Sequence, residues 1–572
     1  MDYRKLIAKE IAKVLKKKEI HIENMLEVPP QKELGDYAFP CFSFAKELKK
    51  SPNEISADIN AKIRIPKGIK QAKTVGPYLN FFVEEGSLAE NVIAEVLEKK
   101  EDYGSNKNIK KKVMIEYSGP NTNKPLHVGH LRNDSTGMAA SKIVAFNGAN
   151  VVKAGLFSDR GAHICKSMIA YKKWGKGSTP ESSKMKGDHF VGKYYVMFAQ
   201  KEKENPALVE EAISMLDKWE KGDKEVRALW KKMDKWGTDG FKETYKKFGS
   251  EFDVILRESQ FYDKAKPIIE TGLKKGVFEE DEAITAKLKK YGLPDKVVLR
   301  KDGTSIYITN DLAMTKHKFE HYKIDESIWV VGADHKLYFR QLFKIFELLG
   351  FKWAKNCRHL SYEMIYLPEG RLKSREGKVV DADELIAKAE DAALAEVKKR
   401  YPKQSEKEKK KRASVIGLAA IKFFMLKTDT NKSILFDIKN SVSFDGETGP
   451  YVQYSYARAR SILKKAGVRE KDVNKLKKAD LGLLSNEDEK EVVKQIAVFK
   501  DVVEEAGRKL APEKICQFLL EISSVFNHFY HSQNVLQAEE KTKEARLALV
   551  YATAQTIKNG LNLLNIDVLE EM

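Results

Sequence analysis

The stretch GPNTNKPLHVGHLRND, from Gly119 to Asp134, sets His127 and His130 three residues apart beside Lys124, Pro125 and Gly129. Three chemistries could use such a pair: a metal, a proton in transit or a phosphate. A metal is disfavoured, because no HExxH glutamate and no nearby cysteine accompanies the histidines and a proline stands two residues before His127. Histidines that only cap a helix or fill a core stay open on spacing alone. A phosphate fits best: Gly129 lets backbone approach, Lys124 supplies a cation, and a helix beginning here would aim free amides at an anion. The chain contains no GxxxxGK[ST] loop, so a nucleotide held here is not held as in an ordinary P-loop ATPase.

Further along, EGRLKSREGKVV brings Arg371, Leu372, Lys373, Ser374 and Arg375 into one cationic loop. In YITND, Tyr307 and Asp311 are i and i+4 near a helix start, where a polar pocket and a capped helix with a core tyrosine would look alike. Glu116, Ser118 and Asn121 follow the end of an apolar run. Asp334 and His335 in VVGADHKLYFRQL and His163 in DRGAHICK are further pocket candidates, and a structural role for His163 is equally open.

These residues need elements to carry them. KVMIEYSGP reads as a strand that stops at Gly119 and Pro120, and a helix, a turn at Asn147–Gly148 and a second strand into Asp159 follow. That is a βαβ unit, whose ligand lies at the carboxyl ends of the strands. YRKLIAKEIAKVLKKK has an apolar stripe of Leu6, Ile7, Ile11, Val14 and Leu15. SPNEISADINAKI has Ser51 as N-cap, Pro52 at the first helical position and Glu54 three residues in. With the strand in GPYLNFFVEEG, residues 1–105 form a small α+β module. Residues 106–404 form an α/β domain whose charged, tryptophan-bearing stretch, about 177–261, reads as a helical insertion packed on the main sheet. Beyond about residue 385 strands nearly vanish, and 405–572 reads as one α-helical domain.

At 572 residues the chain exceeds one core. Its formal charge of +20 makes a polyanionic partner plausible, although a lysine-rich solvated surface would give the same balance. The four cysteines lie far apart with no CxxC spacing, which argues against a disulfide framework and a structural zinc and for a reducing cytosol. No apolar run of membrane-spanning length is present, and no signal peptide leads the chain.

HVGH after a first strand resembles the HIGH signature of class I aminoacyl-tRNA synthetases, and EYSGPNTNKPLHVGHLRND is similar to its arginyl-tRNA synthetase form. EGRLKSREGKVV resembles that group's variant of the second signature. Aligning Arg371 with the first lysine of KMSKS leaves Ser374 in place of the second, and the family's compensating lysine falls at Lys124. GDYAFPCFSFAKELKKSPNEIS resembles the N-terminal tRNA-contacting module. FDGETGPYVQYSYARARSIL and FNHFYHS resemble the helical anticodon-binding domain.

The resemblance implies a Rossmann-like nucleotide-binding domain and an ATP-dependent arginine–tRNA ligase. Arginine, ATP with its Mg2+, and tRNA(Arg) would be the partners, with no membrane, a monomeric chain and a cytoplasmic location. Lys124, His127, His130, Arg371, Lys373, Ser374 and Arg375 would serve catalysis. His127, Gly129, His130, Leu372 and Lys373 would hold ATP, and Asp334 and His335 would face either its adenosine or the arginine. Glu116 and Asn121 would take the ammonium and carboxylate end of arginine, Tyr307 and Asp311 its guanidinium, and Ser118 and His163 would also bind substrate. The family also needs bound tRNA for efficient activation. Two rivals remain: another nucleotidyl-transferring enzyme with HxGH chemistry, against which the long helical tail and the N-terminal module count, and a non-catalytic RNA-binding paralogue, against which the phosphate-binding residues in both signature regions count.

Overall fold

The N-terminal module is built as local chemistry dictates. α1 (Tyr3–Leu15) turns Ile7 and Ile11 inward, and β1 (Tyr37–Pro40) follows. α2 (Pro52–Lys62) starts on a reciprocal cap: Glu54 N donates to Ser51 Oγ at 3.3 Å, and Ser51 N donates to the Glu54 carboxylate at 2.8 Å. β2 (Ile69–Val75) and β3 (Tyr78–Val83) complete an antiparallel sheet in the order β1-β3-β2, and α3 (Glu85–Lys99) leads out of it. This is a computed structural model; it describes residues 3–27, 29, 31–107, 109–301, 306–367, 370–371 and 380–572.

The second domain opens with β4 (Lys112–Glu116), α4 (Val128–Phe146), β5 (Asn150–Phe157) and α5 (Ala162–Trp174). Three helices follow: α6 (Gly187–Glu204), α7 (Ala207–Glu220) and α8 (Lys224–Phe248). They share a core with α5, where Ile164 and Met168 meet Phe190, Tyr194 and Trp219. The helical insertion expected to run to about residue 261 ends earlier, because β6 (Val254–Arg257) is a strand of the main sheet. Its four residues carry no alternation that marks them as a strand, and they follow a long helical stretch.

A small antiparallel sheet of β7 (Phe278–Glu280), β8 (Ile284–Ala286) and β9 (Lys296–Leu299) precedes α9 (Tyr307–Tyr322). β10 (Glu326–Gly332), α10 (Lys336–Leu348) and β11 (Cys357–Tyr362) return to the main sheet. Its order is β11-β10-β4-β5-β6, all parallel. From β4 the chain builds outward through β5 and β6, then crosses to β10 on the other flank. Connections therefore diverge at the carboxyl ends of β4 and β10, which opens a crevice there.

β12 (Ile365–Leu367) pairs with β13 (Gly370–Arg371) and, later, with β14 (Ile434–Leu435). Between them α11 (Ala382–Arg400) and α12 (Glu406–Leu426) form a hairpin. α13 (Gly449–Lys465), α14 (Glu487–Lys509), α15 (Pro512–Ser532) and α16 (Glu540–Leu563) complete an all-helical domain. One apolar core runs from Ile7 and Ile11 of α1, through Ala139 and Ile143 of α4, to Leu549 and Ile557 of α16. No helix among the described residues is long and apolar enough to cross a membrane. The four cysteines are free and buried, and burial pushes the thiols of Cys41, Cys165 and Cys357 up to about 12, so they are inert as nucleophiles.

Candidate active site

Past Glu116 the chain crosses the carboxyl edge of the sheet before entering α4. Ser118 has φ +61° there, a left-handed backbone that costs a non-glycine residue about 1 kcal/mol. Two contacts hold it: Ser118 N donates to Asn133 Oδ1 at 2.6 Å, and Ser118 Oγ lies 2.7 Å from Tyr245 Oη. Asn133 Nδ2 also donates to Val330 O at 2.7 Å and to Tyr362 Oη at 3.0 Å. One side chain on α4 thus ties the exit of β4 to β10 and β11.

The two histidines cap α4 between them. Gly129 N donates to His127 Nδ1 at 3.1 Å, and His127 N donates to His130 Nδ1 at 3.0 Å. Because each Nδ1 accepts, each neutral ring carries its proton on Nε2. Burial, then the Lys124 charge, pushes His127 down to about 4; burial, then His127 and Lys124, holds His130 well below its ordinary value. Near neutral pH the pair is therefore two fixed Nε2–H donors, not a proton shuttle. Gly129 is required sterically, since a Cβ there would stand 2.9 Å from His127 Cε1.

Both histidines and Gly129 line a cavity of about 550 Å³ that reaches from Glu116 and Ser118 across to Tyr307 and Asp311, with Asp334 and His335 among its lining residues. Tyr307 is 61% exposed and so is no core tyrosine. Asp311 does not cap α9: Ile306 N donates to Thr309 Oγ1 at 2.9 Å, while Asp311 accepts from the Tyr338 hydroxyl. Glu258 joins this end, accepting from Ser158 Oγ at 3.1 Å. Burial, then the Asp311 charge, pushes the Glu258 carboxyl up to about 8, and burial pushes that of Asp311 up to about 6. Glu116 faces the cavity with its carboxylate already paired to buried Lys318, whose Nζ lies 4.5 Å from the Trp329 ring centroid. Asp334 and His335 sit exposed on the turn after β10, with Oδ1 and Nδ1 3.0 Å apart.

Other expected residues stand outside the cavity lining. Asn121 bridges to Ser158 through its backbone. His163 lies under the same loop, where its carbonyl accepts from Asn123 Nδ2 at 2.7 Å; its Nε2 is buried without a hydrogen-bond partner among the described residues, and burial, then Lys124, pushes the ring down to about 4. Lys124 Nζ lies 4.5 Å from the Tyr195 ring centroid. Of Arg371 the backbone pairs with Tyr366, while Leu372, Lys373, Ser374 and Arg375 lie outside the described residues. The segment re-enters beside the histidines: Val128 N donates to Val380 O at 3.1 Å, and Ala382 N to Leu126 O at 3.0 Å. Sequence reasoning missed Glu258, Lys318, Tyr338 and Asn133. Only Lys318 left a usable signal, since it sits seven residues after Asp311 on the same helix face.

The pattern described as "tRNA synthetases class I (R), catalytic domain" matches residues 92–438. The DALR anticodon binding domain matches 452–572, and the arginyl tRNA synthetase N terminal domain matches 1–83. This chain belongs to the class I arginyl-tRNA synthetase family. The arginine–tRNA ligase of Treponema denticola is 44% identical over 557 residues, covering 96% of this chain and 94% of that protein. That of Parabacteroides distasonis is 39% identical over 563 residues, covering 94% of each. The solved Thermus thermophilus arginyl-tRNA synthetase superposes with a TM-score of 0.85 at 27% identity, covering 100% of both chains.

Proposed function

We infer that this chain is an ATP-dependent arginine–tRNA ligase, and that the cavity between α4 and α9 is where arginine meets ATP. In the first step the arginine carboxylate attacks the α-phosphate of ATP in line, forming arginyl-adenylate and releasing pyrophosphate. A hydroxyl of the terminal adenosine of tRNA(Arg) then attacks the mixed anhydride. Mg2+ enters as the counter-ion of ATP. His127 and His130 donate Nε2–H to phosphate oxygens as charge builds, and Lys124 approaches the leaving pyrophosphate from the adjoining loop. Arg371, Leu372, Lys373, Ser374 and Arg375 are assigned to the same phosphates by resemblance to the family's second signature alone, Gly129 supplies backbone, and Asp334 and His335 line the opposite rim.

The observation that carries the reading is the acid end. Glu258 and Asp311 line the cavity beside Glu116, which is paired to Lys318, and Lys296 lines it too; the two further carboxyls suit a planar guanidinium with several donors. Tyr307 closes over it, while Ser118 and Asn121 orient the other end of the amino acid, with His163 supporting Asn121's loop. Lysine offers a single point charge and leaves acceptors unpaired. The N-terminal module and the helical domain hold tRNA. The chain is read as a cytoplasmic monomer, consistent with four free, buried cysteines and checked by light scattering.

Arginine-dependent exchange of pyrophosphate into ATP, with and without tRNA(Arg), tests the activity. Asp311→Asn tests the site: it keeps volume but turns one acceptor into a donor that faces other donors. Losing a buried charged partner costs about 2 to 5 kcal/mol, so the arginine requirement should rise roughly 30-fold or more with the ATP requirement little changed. An unchanged arginine dependence in a folded variant would assign Asp311 to structure.

A further inference from the structure

Parts of the chemistry that must keep register meet on α6. Gly192 presses this helix against the loop before the first histidine, where a Cβ would stand 2.8 Å from Pro125 Cδ; Gly237 of α8 does the same at Thr122, 2.3 Å from its carbonyl oxygen. Tyr195 of α6 lies under the Lys124 ammonium. Near the start of the same helix, His189 Nε2 is 2.8 Å from Asp381 Oδ2. The other oxygen of Asp381 caps α11, accepting from Asp383 N at 2.9 Å and Glu384 N at 3.1 Å. The Asp381 backbone forms a β-bridge with His127.

Four neighbours brace this contact. Lys186 Nζ lies 2.6 Å from Asp383 Oδ2 and 3.2 Å from Asp188 Oδ2, and Thr244 Oγ1 of α8 donates to Asp383 Oδ1 at 2.9 Å. Asp188, His189 and Asp383 have ligand atoms close enough to suit a metal, but the Lys186 ammonium already stands between the two carboxylates. The cluster is an ion-pair network. The hydrogen bond to Asp381, with Asp188 adding to it, holds the His189 pKa above its ordinary value, so the strap has a charged form.

We propose that His189 is a positioning residue for arginine activation: through Asp381 it holds the segment bridged to His127, and through α6 it keeps that segment in register with Lys124. The proposal rests on the roles given above to His127 and Lys124. Neither His189 nor Asp381 lines the cavity. The effect should therefore fall on the rate of the chemical step and leave substrate binding nearly alone.

Pyrophosphate exchange on purified full-length variants, with melting temperature and tRNA affinity measured alongside, tests this. His189→Ala should lower kcat about tenfold, a positioning loss of roughly 1.4 kcal/mol, with the arginine KM within about twofold. His189→Gln, whose amide can still donate to Asp381, should recover most of the rate. Asp381→Asn keeps the helix cap and should match His189→Ala, and the double variant should be no worse than either single. A His189→Ala rate within about twofold of the parent, a glutamine variant as slow as alanine, or additive losses would each overturn the proposal. His127→Ala separates the two readings. If it is crippled while His189→Ala is not, the strap alone falls; if it is fully active, the phosphate role of the histidines falls as well.

Discussion

The acid end of the cavity brings together three carboxyl groups, Glu116, Glu258 and Asp311, with Lys296 beside them. Lys318 pairs with Glu116, and the Glu258 and Asp311 carboxyls are pushed up to about 8 and about 6, burial being the main cause of each. A guanidinium binds the ionised forms, so protons must leave as arginine enters near neutrality. The arginine KM is therefore expected to fall by roughly tenfold or more as pH rises from about 6 to about 8, and steady-state exchange kinetics across that range would show it; a flat KM would remove these carboxylates from the site. Stability runs the other way. Both groups titrate above the unfolded carboxylate value near 4, so the folded chain binds more protons than the unfolded one between about pH 4 and 8, and stability without arginine declines as pH rises through that window. Glu258→Gln should accordingly raise the melting temperature at pH 8 while weakening arginine. The histidine pair could be singled out in the sequence because His127, Gly129 and His130 are local neighbours, although spacing alone left a capping and a phosphate role both open. The ion pair of Glu116 with Lys318 could not be, since those residues are 202 positions apart and meet only through the fold.

Elements place these side chains, and the first turn of α4 is the most demanding. Alanine is a better helix former than glycine by about 1 kcal/mol, so Gly129→Ala should leave the melting temperature unchanged or slightly higher. Its Cβ would crowd His127 Cε1, at 2.9 Å, and displace the ring that accepts from Gly129 N. Exchange should slow by about 10²-fold, the scale of losing one oriented donor; an active Gly129→Ala would show that the His127 cap is dispensable. Helix starts read well from sequence, as Ser51, Pro52 and Glu54 show, because caps are local. β6 read poorly because Val254–Arg257 becomes a strand only by pairing with β5. The strap from α6 to Asp381 left no sequence signal at all, since His189 and Asp381 lie 192 positions apart.

At the scale of the whole molecule, the net charge of +20 should make tRNA binding steeply salt-dependent. A fourfold rise in salt is expected to weaken it by at least about tenfold, through release of counterions from the phosphates; titrations at two salt concentrations would reveal it, and equal affinities would exclude a phosphate-dominated interface. The N-terminal module, α4 and the helical domain share one core. Tyr103 Oη donates to Ile496 O at 2.9 Å, Lys494 pairs with Asp36 at 3.4 Å, and Lys500 pairs with Glu95 at 3.2 Å. A chain cut near residue 400 would lose that core, so the helical domain's part in tRNA binding is better tested by point changes. The shared core also bears on synthesis. Tyr103 leaves the ribosome 393 residues ahead of its partner, a delay of roughly 20 to 80 seconds at ordinary elongation rates of about 5 to 20 residues per second. During that interval the apolar face of the N-terminal module lacks its cover from the helical domain, so the nascent chain should be a client of co-translational chaperones, and its vulnerability to aggregation should lengthen whenever elongation slows, as when charged tRNA(Arg) runs short.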